Sequence, residues 1–258
     1  MPTVIYPSPI FGPVHSRRLG VSLGINLMPS DGKICTFDCL YCECGLNAER
    51  RPSLRRPSRK EVREALRQRL QSMKTDGPEP NVLTFAGNGE PTAHPEFPGI
   101  VDDVTALRDE YFPDAKVSVL SNATRVTDPN VFQALLKVDN NIQKLDTVNV
   151  SYINQLDRPA GRYDLDSIIS SLKAFNGHVI IQTMFLEGIV DGTDYCNTSE
   201  KYVGPWLEAV RSIGPSKVMI YTIDRETPVI GLRKASPETL DRIATRLRDI
   251  GLDTSVSY

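Results

Sequence analysis

The chain has 258 residues, of which 40% are hydrophobic and 24% are charged. These proportions are ordinary for a globular protein, and the formal net charge of −2 gives no overall bias toward nucleic acid or anionic membranes. No stretch of about 18 apolar residues predicts a transmembrane helix, and the opening MPTVIYPSPIFGPVHSRR lacks the pattern of a secretory signal. We therefore expect a cytoplasmic protein with no membrane partner.

Short β-rich segments alternate with amphipathic helical patterns along the chain. Most of these segments are rich in Val, Ile, Thr and aromatic residues and have the length of buried strands. Strands are predicted at 21–27, 81–86, 116–120, 142–148, 178–185 and 217–223.

The helices between these strands carry local start and stop signals. Ser58 begins a capping box, and Asp128 and Ser236 are N-cap residues that are each followed by proline. A further amphipathic helix is predicted at 165–175, with Gly177 as its C-cap. Six strand–helix repeats predict an α/β fold with a parallel sheet, which is either open and doubly wound or an incomplete barrel. In both folds the working site lies at the C-terminal ends of the strands.

The segment CTFDCLYCEC, residues 35–44, contains four of the five cysteines. Cys35, Cys39 and Cys42 have the spacing C-x3-C-x2-C, and three thiolates on one loop can hold three corners of a cubane iron–sulfur cluster. The fourth iron then offers the open position that a catalytic metal site needs. A zinc site that includes Cys44, or cysteines without a metal, are the alternatives. Against zinc, Cys44 is only one residue past Cys42 and the sequence has no second C-x2-C pair.

This spacing, with Tyr41 before the last cysteine, resembles the motif of the radical S-adenosylmethionine (SAM) superfamily. The resemblance implies one [4Fe–4S] cluster on the three cysteines and SAM on the remaining iron. Reductive cleavage of SAM would give a 5′-deoxyadenosyl radical that abstracts hydrogen from a substrate. The resemblance covers roughly residues 10–250 and implies the family fold, an incomplete (β/α)6 barrel or partial TIM barrel.

Further strand ends resemble the SAM-binding segments of this superfamily. FAGNGEPTAHPEF, residues 85–97, is similar to its glycine-rich motif, with Asn88 where a glycine is expected. Lys144 and Asp146 share one side of a predicted strand and face either the barrel interior or the outside. Taken alone, each segment is also typical of an ordinary turn or a salt-bridged loop. The candidate cofactor-binding residues are Tyr41, Gly87, Asn88, Gly89, Glu90, Ser121, Asn122, Lys144, Asp146, Gln182 and Tyr221.

The segments FGPVHSRRLGVSLGINLMP, GNGEP, KLD and YTIDR also resemble the branch related to the tRNA wyosine-base synthases. Those synthases carry further upstream cysteines for a second cluster, and this chain has no cysteine before Cys35. We therefore expect one cluster and an unidentified substrate, with RNA and a phosphorylated small molecule as candidates. The alternatives are a metal-containing RNA-binding or regulatory protein without radical chemistry and a glycyl-radical activase.

We expect one domain over residues 1–258. It would comprise an N-terminal hairpin and first strand (1–30), a cluster loop (31–49) and the remaining β/α units (50–258). The segment 50–70 carries a local charge of +7, much of which belongs to the polar face of a helix. The arginines before that helix are candidate contacts for tRNA phosphates or for an acidic electron donor such as flavodoxin or ferredoxin. They are Arg50, Arg51, Arg55 and Arg56.

Overall fold

A computed structural model describes residues 3–16 and 20–258 of the chain. Three residues of the N-terminal motif, at 17–19, lie outside the described residues. The strands are β1 (Ile10–Ser16), β2 (Gly20–Ile25), β3 (Val82–Phe85), β4 (Lys116–Ser121), β5 (Asn140–Lys144), β6 (Ile180–Met184), β7 (Leu186–Val190), β8 (Thr193–Asp194), β9 (Lys217–Tyr221), β10 (Leu232–Lys234) and β11 (Thr254–Ser257). The helices are α1 (Arg59–Asp76), α2 (Phe97–Tyr111), α3 (Pro129–Leu135), α4 (Val150–Leu156), α5 (Leu165–Ala174), α6 (Glu200–Ile213) and α7 (Pro237–Asp249).

Eight strands form one sheet in the order β1-β2-β3-β4-β5-β6-β9-β11. Every neighbouring pair from β2 to β11 is parallel, whereas β1 pairs antiparallel with β2 as the predicted N-terminal hairpin. Seven of these strands line a common cavity, so the sheet curves into a barrel wall that is open between its edge strands β1 and β11. The strand residues that line the cavity include Phe11, Gly24, Thr84, Leu120, Ile142, Gln182 and Met219.

The six predicted strands are confirmed as β2, β3, β4, β5, β6 and β9, with shifted ends. The strand predicted at 142–148 is β5, which ends at Lys144, so Asp146 lies in the following loop instead of the predicted strand. Sequence reasoning missed β11 and a second sheet in the order β10-β7-β8. These strands are short and mostly only partly buried, so they carry little hydrophobic periodicity.

The helices cover the outer face of the large sheet. α1 begins with the predicted capping box, in which Ser58 Oγ accepts from the Glu61 backbone and the Glu61 carboxylate accepts from the Ser58 backbone. α5 ends earlier than expected: its C-cap is Phe175, and Gly177 takes a positive φ of 87° two residues later, so Gly177 is not the cap. No described helix has the length and apolar character needed to cross a membrane.

The core between the sheet and the helices fixes which way the strand side chains point. Trp206 of α6 is buried there, and its indole N–H donates to the Leu145 carbonyl at 2.9 Å. Leu145 itself belongs to this core, so Lys144 and Asp146 face the opposite side. Of the two orientations that the sequence left open, this side is the one away from the helices.

Candidate cluster and cofactor site

The cluster loop, residues 31–49, crosses the C-terminal ends of the parallel strands. On one side Ile34 makes a parallel bridge with Gly89, and the Ile34 carbonyl accepts from the Glu90 amide at 3.2 Å. On the other side the Asp38 amide donates to the Asp157 carbonyl at 2.9 Å. The protein thus anchors the loop just before Cys35 and again at Asp38, within the cysteine segment.

The four loop cysteines have different surroundings. Cys35 Sγ accepts from the Phe37 amide at 3.5 Å and from Asn122 Nδ2 at 3.6 Å, and Cys42 lines the cavity. Cys44 is buried instead, and its thiol lies 3.4 Å from the Gly87 carbonyl. Among the described residues, no three His, Cys, Asp or Glu side chains are arranged to hold one metal ion.

Lys33 is a buried cation beside the cysteines that sequence reasoning missed. Its Nζ donates to the Gly45 carbonyl at 2.7 Å. Burial lowers the pKa of Lys33, but the thiol groups of Cys42, Cys35 and Cys39 outweigh burial and raise it. Lysine is rarely buried, so nothing in its local pattern indicates this position.

The thiol chemistry of the loop suits an iron–sulfur cluster. Burial, followed by Glu90, raises the pKa of Cys35 to about 12, so a metal that binds this sulfur has to displace its proton. A hydrogen bond from Cys44, supported by the charge of Lys33, lowers the pKa of Cys42 to about 6. Three cysteines at C-x3-C-x2-C spacing, with a cation beside them, fit the donor set of a three-cysteine cluster.

A buried ion-pair network, formed by Tyr41, Lys144, Asp146 and Asp157, supports the loop. Lys144 Nζ lies 2.5 Å from Asp146 Oδ2 and 2.6 Å from Asp157 Oδ1. The Tyr41 hydroxyl donates to Asp146, and Asp146 Oδ1 accepts from the Met184 amide at 2.9 Å. Burial lowers the pKa of Lys144, but Asp146 and Asp157 outweigh it, so the ammonium stays charged. Tyr41 is thereby fixed to the ends of two strands.

The polar atoms of the Asn88 side chain form hydrogen bonds within the protein. Its side chain is 0% exposed, and Oδ1 accepts from the Tyr6 amide at 2.8 Å. Its Nδ2 donates to the carbonyls of Tyr6 at 2.8 Å and Pro29 at 2.9 Å. The donors and the acceptor of the Asn88 side chain thus hold the N-terminal segment, and a contact of Asn88 with the cofactor stays a prediction.

The two glycines of this motif have separate roles. Gly87 lines the cavity with a φ of 126°. Gly89 has a φ of 138°, and a Cβ there would lie 1.8 Å from the Ile34 carbonyl oxygen. Only glycine lets the turn approach the cluster loop this closely.

Glu90 is held within the protein. Its Oε1 accepts from the Thr92 amide at 3.0 Å, and its Oε2 accepts from the Asn122 amide at 2.7 Å. Burial raises the pKa of this carboxyl group. Glu90 therefore joins the glycine-rich turn to the end of β4, and contact with the SAM ammonium stays a prediction.

Ser121 and Asn122 lie where β4 meets the cluster loop. Ser121 Oγ accepts from the Ala123 amide at 3.1 Å, and Asn122 Nδ2 donates to Thr36 Oγ1 at 2.9 Å. Both residues are buried and absent from the described cavity lining. Their contacts with SAM stay predictions.

The cavity has a volume of about 580 Å³ and reaches the cluster loop at Cys42. At its mouth, Tyr6 OH donates to Glu43 Oε1 at 2.9 Å, and Arg225 Nη1 donates to Tyr6 OH at 2.8 Å. Arg225 also lies 3.0 Å from Glu43 Oε2. Of the predicted cofactor residues, those that line the cavity are Tyr41, Gly87, Gln182 and Tyr221.

The basic segment is partly neutralised. Arg55 forms two hydrogen bonds with Glu61, at 2.8 and 2.7 Å, and Arg50 donates to Thr3. In α1, Arg59 pairs with Asp103 at 2.6 Å. The local charge of +7 read from residues 50–70 therefore overstates the positive charge of this surface.

Comparison with known proteins identifies the family. Residues 30–191 match the Radical SAM superfamily. Two UPF0026 proteins from strains of Helicobacter pylori are 29% and 30% identical over 84% and 85% of this chain. The chain spans only 66% and 67% of their lengths.

Among solved structures, a radical SAM methyltransferase from Sphaerobacter thermophilus matches with a TM-score of 0.64 at 16% identity. The match covers 92% of this chain and 66% of that chain, and at this identity it shows the fold alone. The fold is the incomplete (β/α)6 barrel that the sequence predicted. With more than half of its length matched, the chain belongs to the radical SAM superfamily.

Proposed function

We propose that this chain is a radical SAM enzyme with one [4Fe–4S] cluster on Cys35, Cys39 and Cys42 and with SAM at the remaining iron. The main supporting observation is that the superfamily's cysteine loop lies on the C-terminal strand ends, with Cys42 lining a cavity inside the barrel. Held by these three cysteines, the cluster would supply the one-electron chemistry for reductive cleavage of SAM and, through it, for hydrogen abstraction from a substrate.

The residues of the chain prepare the site for these groups. Lys33 offsets the negative charge of three thiolates, and the ion-pair network holds Tyr41 beside Cys42. Gly87 exposes backbone to the cavity, which suits close approach by the methionine part of SAM. The barrel wall limits access of water to the reacting atoms, and this limits side reactions.

Anaerobic reconstitution tests the proposal. We expect about four irons per chain and formation of 5′-deoxyadenosine when dithionite and SAM are added. Zinc in place of iron would support the metal-containing RNA-binding alternative, and iron without SAM cleavage would refute the radical enzyme.

Two matched cysteine variants test the ligand set. Cys42→Ala removes a ligand and should abolish a stable cluster, whereas Cys44→Ala should retain full iron content. Iron and sulfide analysis with the absorbance of the reconstituted protein measures both. Equal losses in the two variants would overturn the three-cysteine assignment.

We also propose that an acidic electron donor such as flavodoxin or ferredoxin, or a tRNA, contacts the arginines that precede α1. The charge of this segment supports the proposal, although Arg50 and Arg55 already bond within the chain. Exposed Arg51 lies on the same segment, which continues directly from the cluster loop.

A further inference from the structure

Gln182 is a polar residue of the barrel wall. It lies on β6, is 9% exposed and lines the cavity. Its backbone carbonyl accepts from the Leu145 amide at 3.0 Å. Its side-chain amide forms no hydrogen bond with any other described residue. Because it lines the cavity, this amide is available to a ligand there.

Most of the wall around Gln182 is apolar. In the sheet register Gln182 pairs with Met219 of β9 on one side and with Lys144 of β5 on the other. Ile142 of β5 and Leu120 of β4 also line the cavity. Ile142 and Met219 pack in one apolar cluster with Leu120 against it. A ligand that reaches Gln182 therefore exchanges water for hydrocarbon on most of its surface.

The charged side chains of the described lining lie elsewhere. Glu43, Asp224 and Arg225 belong to the cluster loop and to the segment after β9, at the mouth of the cavity. There Arg225 is paired with Glu43, and Asp224 lies 3.8 Å from Lys234. Lys144, the register partner of Gln182 on β5, is already paired with Asp146 and Asp157, so a phosphate or carboxylate beside Gln182 would lose water and meet two carboxylates as well as one ammonium, which is costly.

An amide side chain offers one acceptor and two donors. Its complement is a group with a donor and an acceptor side by side, as in a carboxamide or a lactam ring. We propose that Gln182 binds the substrate through such an uncharged –CO–NH– group, with the rest of the bound moiety against the apolar wall. This inference rests on the proposed function, since it takes the cavity as the place where substrate meets the radical.

The size of the cavity limits the substrate further. About 580 Å³ is within the range of a pocket for one small ligand, and SAM would share this space. The group that enters is therefore small, and any phosphate of the substrate stays outside the wall that carries Gln182.

Binding of benzamide and benzoate to the reconstituted, SAM-loaded protein tests this assignment. The two probes have the same ring and differ in the amide, so calorimetry should find benzamide bound at least about tenfold more tightly. Gln182→Met keeps a similar length but removes the amide, and it should lose about tenfold or more in benzamide affinity. Gln143→Met is the control, because Gln143 is a buried glutamine on β5 outside the cavity lining, and its variant should bind benzamide like the wild type.

Three outcomes would overturn the assignment: no benzamide binding to the wild-type protein, equal binding of benzoate, or equal affinity in Gln182→Met. Iron content and SAM cleavage by the wild-type protein are measured in parallel. Benzamide selectivity that depends on Gln182 in a protein that does not cleave SAM would support the binding site while refuting the enzyme. SAM cleavage without that selectivity would support the enzyme while refuting the binding site.

Discussion

Lys144 and Gln182 are register partners on adjacent parallel strands, yet their polar groups have opposite circumstances. The Lys144 ammonium lies between two carboxylates, whereas the Gln182 amide faces the cavity without a described partner. A side chain whose partners come from the chain supports the structure, and one without them is available to a ligand. Polarity on an inward-facing strand position therefore does not by itself identify a binding residue.

The largest expected effect comes from replacing Lys144, whose polar group has its partners within the chain. Lys144→Met leaves Asp146 and Asp157 buried without their cation, so the free energy of unfolding should fall by about 3–5 kcal/mol. Gln182→Met introduces the same side chain at the neighbouring position and should change it by less than about 1 kcal/mol. Urea unfolding of the metal-free proteins measures both values. Similar losses of unfolding free energy in the two variants would show that Lys144 supports the structure no more than Gln182 does.

An intermediate effect is expected at the mouth, where the network is only partly buried. Tyr6→Phe removes the hydroxyl between Glu43 and Arg225 and should lower the free energy of unfolding by about 1 kcal/mol near neutral pH. Burial, followed by Glu43, raises the pKa of Tyr6 from 10.0 to about 12. A pKa that is higher in the folded than in the unfolded chain adds to the free energy of unfolding at every pH below the unfolded pKa of 10.0. This contribution is lost as the pH rises from 10 to 12.

The difference in the free energy of unfolding between wild type and Tyr6→Phe should therefore become smaller as the pH rises over that range. Urea unfolding at several pH values checks this, and other titrating groups cancel because both proteins contain them. A constant difference would mean that the Tyr6 hydroxyl ionises alike in the folded and unfolded chains.

The smallest effect is expected from the arginines that precede α1. Replacing Arg51, Arg55 and Arg56 together by Gln should weaken tRNA or flavodoxin binding and reduce its salt dependence, by about one unit of slope for each lost tRNA phosphate contact. Arg246→Gln is a matched control, because Arg246 is also paired with a carboxylate, Glu200 at 2.6 Å, on a different helix. Filter binding over a salt series measures both variants. Identical slopes would leave the segment without a binding role.

Much of the fold could be predicted from the sequence. Buried parallel strands such as 178–185 are mostly apolar and rich in β-branched residues, and helix starts such as Ser58 and Asp128 carry their own capping groups. By contrast, α6 contains Gly204 and Pro205, which obscure its helical pattern, and the short strands of the second sheet depend on contacts between distant segments.

The candidate site could be predicted less completely. The cysteine spacing located the cluster loop, because its three ligands are close in sequence. Lys33 and Asp157 were missed, since a charged residue is identified as buried only when its partners are known, and Lys144 is one such partner for Asp157. Asn88 was placed by its motif, but its bonds are to residues 82 and 59 positions away.

The bonds of Asn88 make the mouth asymmetric. Because its side chain joins Tyr6 and Pro29 to the glycine-rich turn, the N-terminal segment and that turn form one unit held by three hydrogen bonds. The segment after β9 reaches the same unit through the part-exposed Arg225 side chain. Displacing the N-terminal segment from the turn therefore breaks more buried bonds than parting it from Arg225 does. The contact of the N-terminal segment with the β9 side is therefore the weaker of the two, and its loss would leave the bonds between the cluster loop and its turn in place.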